Sequence, residues 1–113
     1  MSAARLARLR SVRAVELRVA QRELAALQRA TVQAEAMGAR IERLIADLPH
    51  IGPAPQAAAA TRAALAAART RLAARDADAA PTRSAALAAV QRLHTRVEVV
   101  DTALAAARRE GQP

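Results

Sequence analysis

Apolar residues recur at three- and four-residue spacing over two long stretches of the chain, and a proline-rich segment separates them. In the first stretch, residues 3–48, Leu24, Leu27, Ile41, Ile45 and Leu48 fall on one stripe, with Thr31, Ala34 and Gly38 filling its gaps. Leu17 and Ala20 extend it upstream. Nearer the N-terminus the apolar positions shift to Leu6, Leu9, Val12, Val15 and Val19. This shift predicts a local change of supercoil, as an interrupted heptad would give. No proline precedes Pro49, so one helix of roughly 68 Å is expected at 1.5 Å per residue. Gly38 is its expected weak point or a place of close backbone contact, because glycine costs a helix about 1 kcal/mol relative to alanine.

The second stretch begins poorly marked. Over residues 57–80 only Leu65 and Leu72 are large and apolar, seven positions apart on one face. Pro81 then predicts a break or bend. Beyond it Ala86, Val90, Leu93, Val97, Val100, Leu104 and Ala107 keep an uninterrupted 4–3 spacing, a coiled-coil signal. Gly111 and Pro113 supply a conventional helix stop.

Between the arms, residues 47–60 read DLPHIGPAPQAAAA. Two helical arms of similar length joined by turn chemistry over 49–56 predict an all-α, antiparallel two-helix coiled-coil hairpin, a single unit over 1–113. Its arms are 3–48 and 57–110. The connection is at the long end of normal. A three-helix bundle fits less well, because its first helix would overhang the other two. With the turn centred on this segment, facing residues sum to 104–106. Seven opposite-charge pairs then stand against six like-charge pairs, so charge does not choose between the topologies. Solitary helices are disfavoured, since no Glu or Asp stands four residues before an Arg to stabilise an exposed helix.

Composition sharpens this picture. The chain has no Phe, Tyr, Trp or Cys and 35 alanines. A round core is therefore not expected, and helices packed along Ala and Leu seams are. Disulfide and thiolate–metal frameworks are excluded, and no apolar run reaches transmembrane length. All 18 basic residues are arginine, and the net charge is +8. The two arms share it equally, each with nine Arg and five acids. Two stretches are free of acids. One is residues 1–15, with Arg5, Arg8, Arg10 and Arg13; the other is residues 57–75, with Arg62, Arg69, Arg71 and Arg75. The first has the composition of an organelle transit peptide, but the helical pattern runs on past it without a boundary, which favours the opening turns of a long helix. Such charge calls for acidic partners.

Candidate chemistry is sparse. His94, Glu98 and Asp101 share one helix face, but a di-iron bundle repeats Glu-x-x-His on several helices. The other histidine is His50, at the tip. A polar flank beside the seam is the plainer reading, and no metal or cofactor is expected. No nucleophile–base set or Gly-rich phosphate loop occurs, so catalysis is not expected. The arginine stretches suit phosphate contact. They lack the aromatics that stack on single strands, so an Arg-rich nucleic-acid-binding helix is the second reading. A coiled-coil stalk or adaptor is the first.

Two segments, RLARLRSVRAVELRVAQRELAALQRA (5–30) and AALAAVQRLHTRVEVVDTALAAARRE (85–110), together resemble the FliJ/YscO family of flagellar and type III secretion export proteins. The resemblance implies a long antiparallel two-helix rod, similar to the central stalk of rotary ATPases. It implies a cytoplasmic location at the inner-membrane export apparatus. The implied partners are the hexameric export ATPase, entered by the rod's terminal ends, together with export chaperones and the membrane export gate. On this resemblance, the partner-binding residues are Arg5, Arg8, Arg10, Arg13, Arg108 and Arg109, gathered at the open end of the hairpin.

Overall fold

A computed structural model describes residues 2–49 and 55–111. They form an all-α, two-helix hairpin, with α1 over Ala3–Asp47 and α2 over Pro55–Glu110. His50, Gly52 and Pro53, placed at the tip by the sequence, and Pro113 lie outside the described residues. No described helix is long and apolar enough to cross a membrane.

Local chemistry sets the helix ends. Ser2 caps α1, its Oγ accepting the Arg5 backbone N–H at 3.2 Å. After Asp47 the chain tightens, with Leu48 N–H donating to the Ile45 carbonyl at 3.3 Å, and Pro49 follows. α2 begins at Pro55, two residues earlier than the sequence pattern suggests. Proline is well suited to a first helical position, where its missing N–H has no intrahelical acceptor to satisfy. At the other end Arg108 and Arg109 occupy the last turn, where cations complement the helix dipole.

α2 does not end at Pro81. Pro81 is exposed, while Ala79 and Arg83 on either side keep to the half-buried line. The ring and the carbonyl left without a donor therefore fall on the solvent side, where water can satisfy that carbonyl.

The chain divides into two compact units. One comprises residues 1–27 with 82–113, the other residues 28–81. The first has an apolar seam. Leu6, Val97, Val100 and Leu104 are buried, and Leu17, Ala20, Leu24, Leu93, Val90 and Ala86 are half-buried beside them. The stripe predicted for 86–107 is thus the packed one. In the second unit Ile41 is the buried hydrophobic, with Leu65, Leu72, Ala34 and Gly38 half-buried. A pair of helices can hide only one side of each seam residue, and among the described residues no side chain falls below 2% exposure.

Of the predicted N-terminal stripe, Leu6 is buried and Leu9 half-buried, but the valines do not follow them. Val12, Val15 and Val19 are 54%, 50% and 57% exposed. The seam instead keeps its 4–3 spacing through Leu6, Arg10, Arg13 and Leu17. Two consecutive seam positions are arginine, so apolar periodicity alone slides onto the neighbouring valine line. α2 repeats the device. Its heptad positions 62, 69, 76 and 83 are Arg, Arg, Asp and Arg, before Val90, Val97 and Leu104 take over.

The seam charges fix a register different from the expected one. Arg69 Nη2 meets Glu42 Oε1 at 2.6 Å. Arg62 Nη2 donates to the Pro49 carbonyl at 3.4 Å. In the first unit Arg10 Nε donates to Asp101 Oδ1 at 2.6 Å. Each pair sums to 111, not 104–106. Half of that sum falls between residues 55 and 56, in the first turn of α2.

Gly38 is not required by close packing. A Cβ built there would lie 3.7 Å from Leu72 Cδ2, an ordinary contact, and no described glycine has positive φ.

Three outcomes are expected. Val97→Asp places a charge in the seam and should cost several kcal/mol, whereas exposed Arg96→Asp should cost under about 0.5 kcal/mol; thermal melts of both variants check this. Gly38→Ala should stabilise by about 0.5–1 kcal/mol in denaturant titration, since it removes the glycine penalty and fills space beside Leu72. In a chain without native cysteine, Arg10→Cys/Asp101→Cys should oxidise to a disulfide well before Arg10→Cys/His94→Cys. The two second sites share one face and differ by about 10 Å along the axis. Faster closure of the 10/94 pair would contradict the observed register.

Candidate functional site

The six arginines expected to bind a partner all belong to the first unit, where residues 3–13 of α1 meet residues 98–110 of α2. They separate into two kinds. Arg10 and Arg13 occupy seam positions and are neutralised internally. Arg10 Nε pairs with Asp101 at 2.6 Å. Arg13 Nη1 donates to both carboxylate oxygens of Glu16, at 3.2 and 3.1 Å. Arg10 thus joins α1 to α2, whereas Arg13 is paired within α1. Both pairs are partly exposed, so each contributes modestly to stability; the Arg10–Asp101 pair, which crosses between the helices, also bears on register.

Arg5, Arg8, Arg108 and Arg109 are exposed, and their guanidinium groups form no ion pair among the described residues. Arg108 also borders a groove of about 520 Å³ lined by Ala7, Arg10, Ser11, Asp101, Leu104 and Ala105. In the groove Ser11 Oγ donates to the Ala7 carbonyl and Asp101 is held by Arg10. Arg108 is thus the lining cation without a counterion among the described residues.

Folding also redistributes charge. The sequence shares its excess equally between the arms, but the first unit holds eleven Arg and five acids, a net of +6, and the second seven Arg and five acids, a net of +2. The first unit therefore has the stronger field for an acidic partner.

The second arginine stretch is partly engaged. Arg62 reaches the Pro49 carbonyl and Arg69 pairs with Glu42, while Arg71 and Arg75 are exposed. The set His94, Glu98 and Asp101 does not converge. His94 Nε2 lies 3.1 Å from Glu98 Oε1, both side chains well exposed, whereas Asp101 turns across the seam to Arg10. Among the described residues no three His, Cys, Asp or Glu are grouped to hold a metal.

Sequence reasoning missed the seam role of Arg10 and Arg13. The available signal was their place in the 4–3 spacing between Leu6 and Leu17, which becomes visible only when charged residues are admitted to the stripe. Comparison with known family models, with curated proteins and with solved structures finds no match to this chain.

Proposed function

We propose that this chain is a non-enzymatic coiled-coil stalk or adaptor of a flagellar or type III protein export apparatus. Its Arg5, Arg8, Arg108 and Arg109 end meets acidic protein on the hexameric export ATPase and regulates that ring. Export chaperones are its second class of partner, and the membrane export gate, reached from the cytoplasmic side, is a further contact.

The observation that carries the reading is the concentration of unpaired arginine in the more basic unit, on a hairpin whose other seam charges are internally engaged. A helix pair with such an end presents fixed positive charge to a protein surface, where complementary charge steers association and fixes orientation. The two-helix fold and the segments 5–30 and 85–110 supply the resemblance that names the export ATPase. The nucleic-acid reading loses support from the second arginine stretch, because Arg62 and Arg69 are already engaged within the hairpin.

Reversal of Arg5, Arg8, Arg108 and Arg109 to Glu should lower affinity for the export ATPase by about tenfold or more and abolish its stimulation. Helicity should be retained, since none of the four closes the seam. Arg71→Glu/Arg75→Glu should leave stimulation unchanged. A salt titration of DNA and RNA binding runs beside the ATPase assay. Tight binding that falls by about 0.9 log units per log unit of salt for each phosphate contacted, with no effect on the ATPase, would overturn the stalk reading.

A further inference from the structure

α1 carries a second line of 3–4 spaced residues on the side away from its seam. Arg5, Arg8, Val12, Val15, Val19, Arg22 and Ala26 follow one another at spacings of three and four, and every one of them is exposed. The three valines are each at least half exposed. The line lies wholly within the first unit. Arg8 and Arg22 bracket the valines, and neither forms an ion pair among the described residues.

No described residue buries these valines. Valine is a poorer helix former than alanine, and a chain with 35 alanines has the better residue at hand. β-branched residues at 3–4 spacing are knobs of the kind that coiled coils seat. Arginines at either end of the apolar line add a charge requirement.

From this we infer that the outer face of α1 docks an amphipathic helix of an acidic partner protein, forming a three-helix coiled coil with the hairpin. The partner's helix presents an apolar 3–4 line to Val12, Val15 and Val19. It carries acids to meet Arg8 and Arg22, which are separated by about 21 Å along α1 at 1.5 Å per residue. A second copy of this chain is a poor occupant, because it would bring one unit of net +6 against another. A lipid surface is also a poor occupant. The apolar line spans only about 10 Å from Val12 to Val19, and the chain has no aromatic residue to anchor at an interface. The inference shares Arg8 with the end proposed to meet the export ATPase and otherwise rests on Val12, Val15, Val19 and Arg22.

The test uses the full chain and a fluorescent synthetic 21-residue helical peptide, with leucine on a 3–4 line and glutamate on its flanks. A control peptide of the same composition distributes its leucines around the helix. The chain should bind the first peptide at least about tenfold more tightly than the second. Val12→Ala/Val15→Ala/Val19→Ala should weaken binding on the order of fiftyfold, as expected for removing six partly buried carbons. Its melting temperature should be unchanged or raised, because alanine favours the helix. Arg22→Glu should weaken binding and flatten its salt dependence. The variants keep Arg5, Arg8, Arg108 and Arg109, so the result is independent of the export-ATPase assay. Equal binding of the two peptides, or undiminished binding by the triple variant, would overturn the inference. So would failure to bind the peptide together with valine-dependent capture by anionic vesicles, or valine-dependent dimerisation in sedimentation.

Discussion

Each of the two units depends on a seam between its stretches of α1 and α2. A helix pair has no third layer, so each seam residue is covered on one side only. The buried set is accordingly thin: Leu6, Ile41, Val97, Val100 and Leu104. Without aromatics, no single side chain can bury enough area to anchor the hairpin by itself. Stability must accumulate along the length, from alanine's helix propensity and from many small contacts.

Such a seam has little shape to fix its register. Ala and Leu repeat with nearly the same period along both helices, and a one-heptad slip would still bury apolar groups. Charged residues at seam positions oppose that slip. Arg10 with Asp101, Arg69 with Glu42 and Arg62 with the Pro49 carbonyl all satisfy the same sum of residue numbers. A slip by seven would break these pairs at once. Each pair is worth little as a surface ion pair, yet together they distinguish one alignment from its neighbours, the role that polar seam residues have in coiled coils. The same engagement sorts the arginines into those paired within the hairpin and those, such as Arg5, Arg8, Arg108 and Arg109, with no ion pair among the described residues.

The fold class was legible because its signals are local. Val90, Leu93, Val97, Val100 and Leu104 mark a seam unaided, and Pro49 marks the end of the first helix. The register was not legible, because it is set by contacts between residues far apart in sequence, such as Arg10 with Asp101 and Arg69 with Glu42. Turn chemistry over 49–56 points to a later start than Pro55, a residue that reads as loop in a sequence and as a first helical position in a structure. The face of α1 was misassigned for a related reason. Apolar periodicity follows valine, and between Leu6 and Leu17 the seam is arginine. The candidate arginines were found by their sign, but which of them are free depends on cross-seam partners as far away in sequence as Asp101. The charge asymmetry between the units was hidden because folding joins the beginning of the chain to its end.

The central claim is that α1 and α2 pair within one chain. Thermal unfolding followed by circular dichroism over a hundredfold range of protein concentration tests it most directly. An intramolecular hairpin unfolds at a midpoint independent of concentration, which is the result expected here. Helices paired between chains would melt at a midpoint that rises with concentration, and that result would contradict the hairpin.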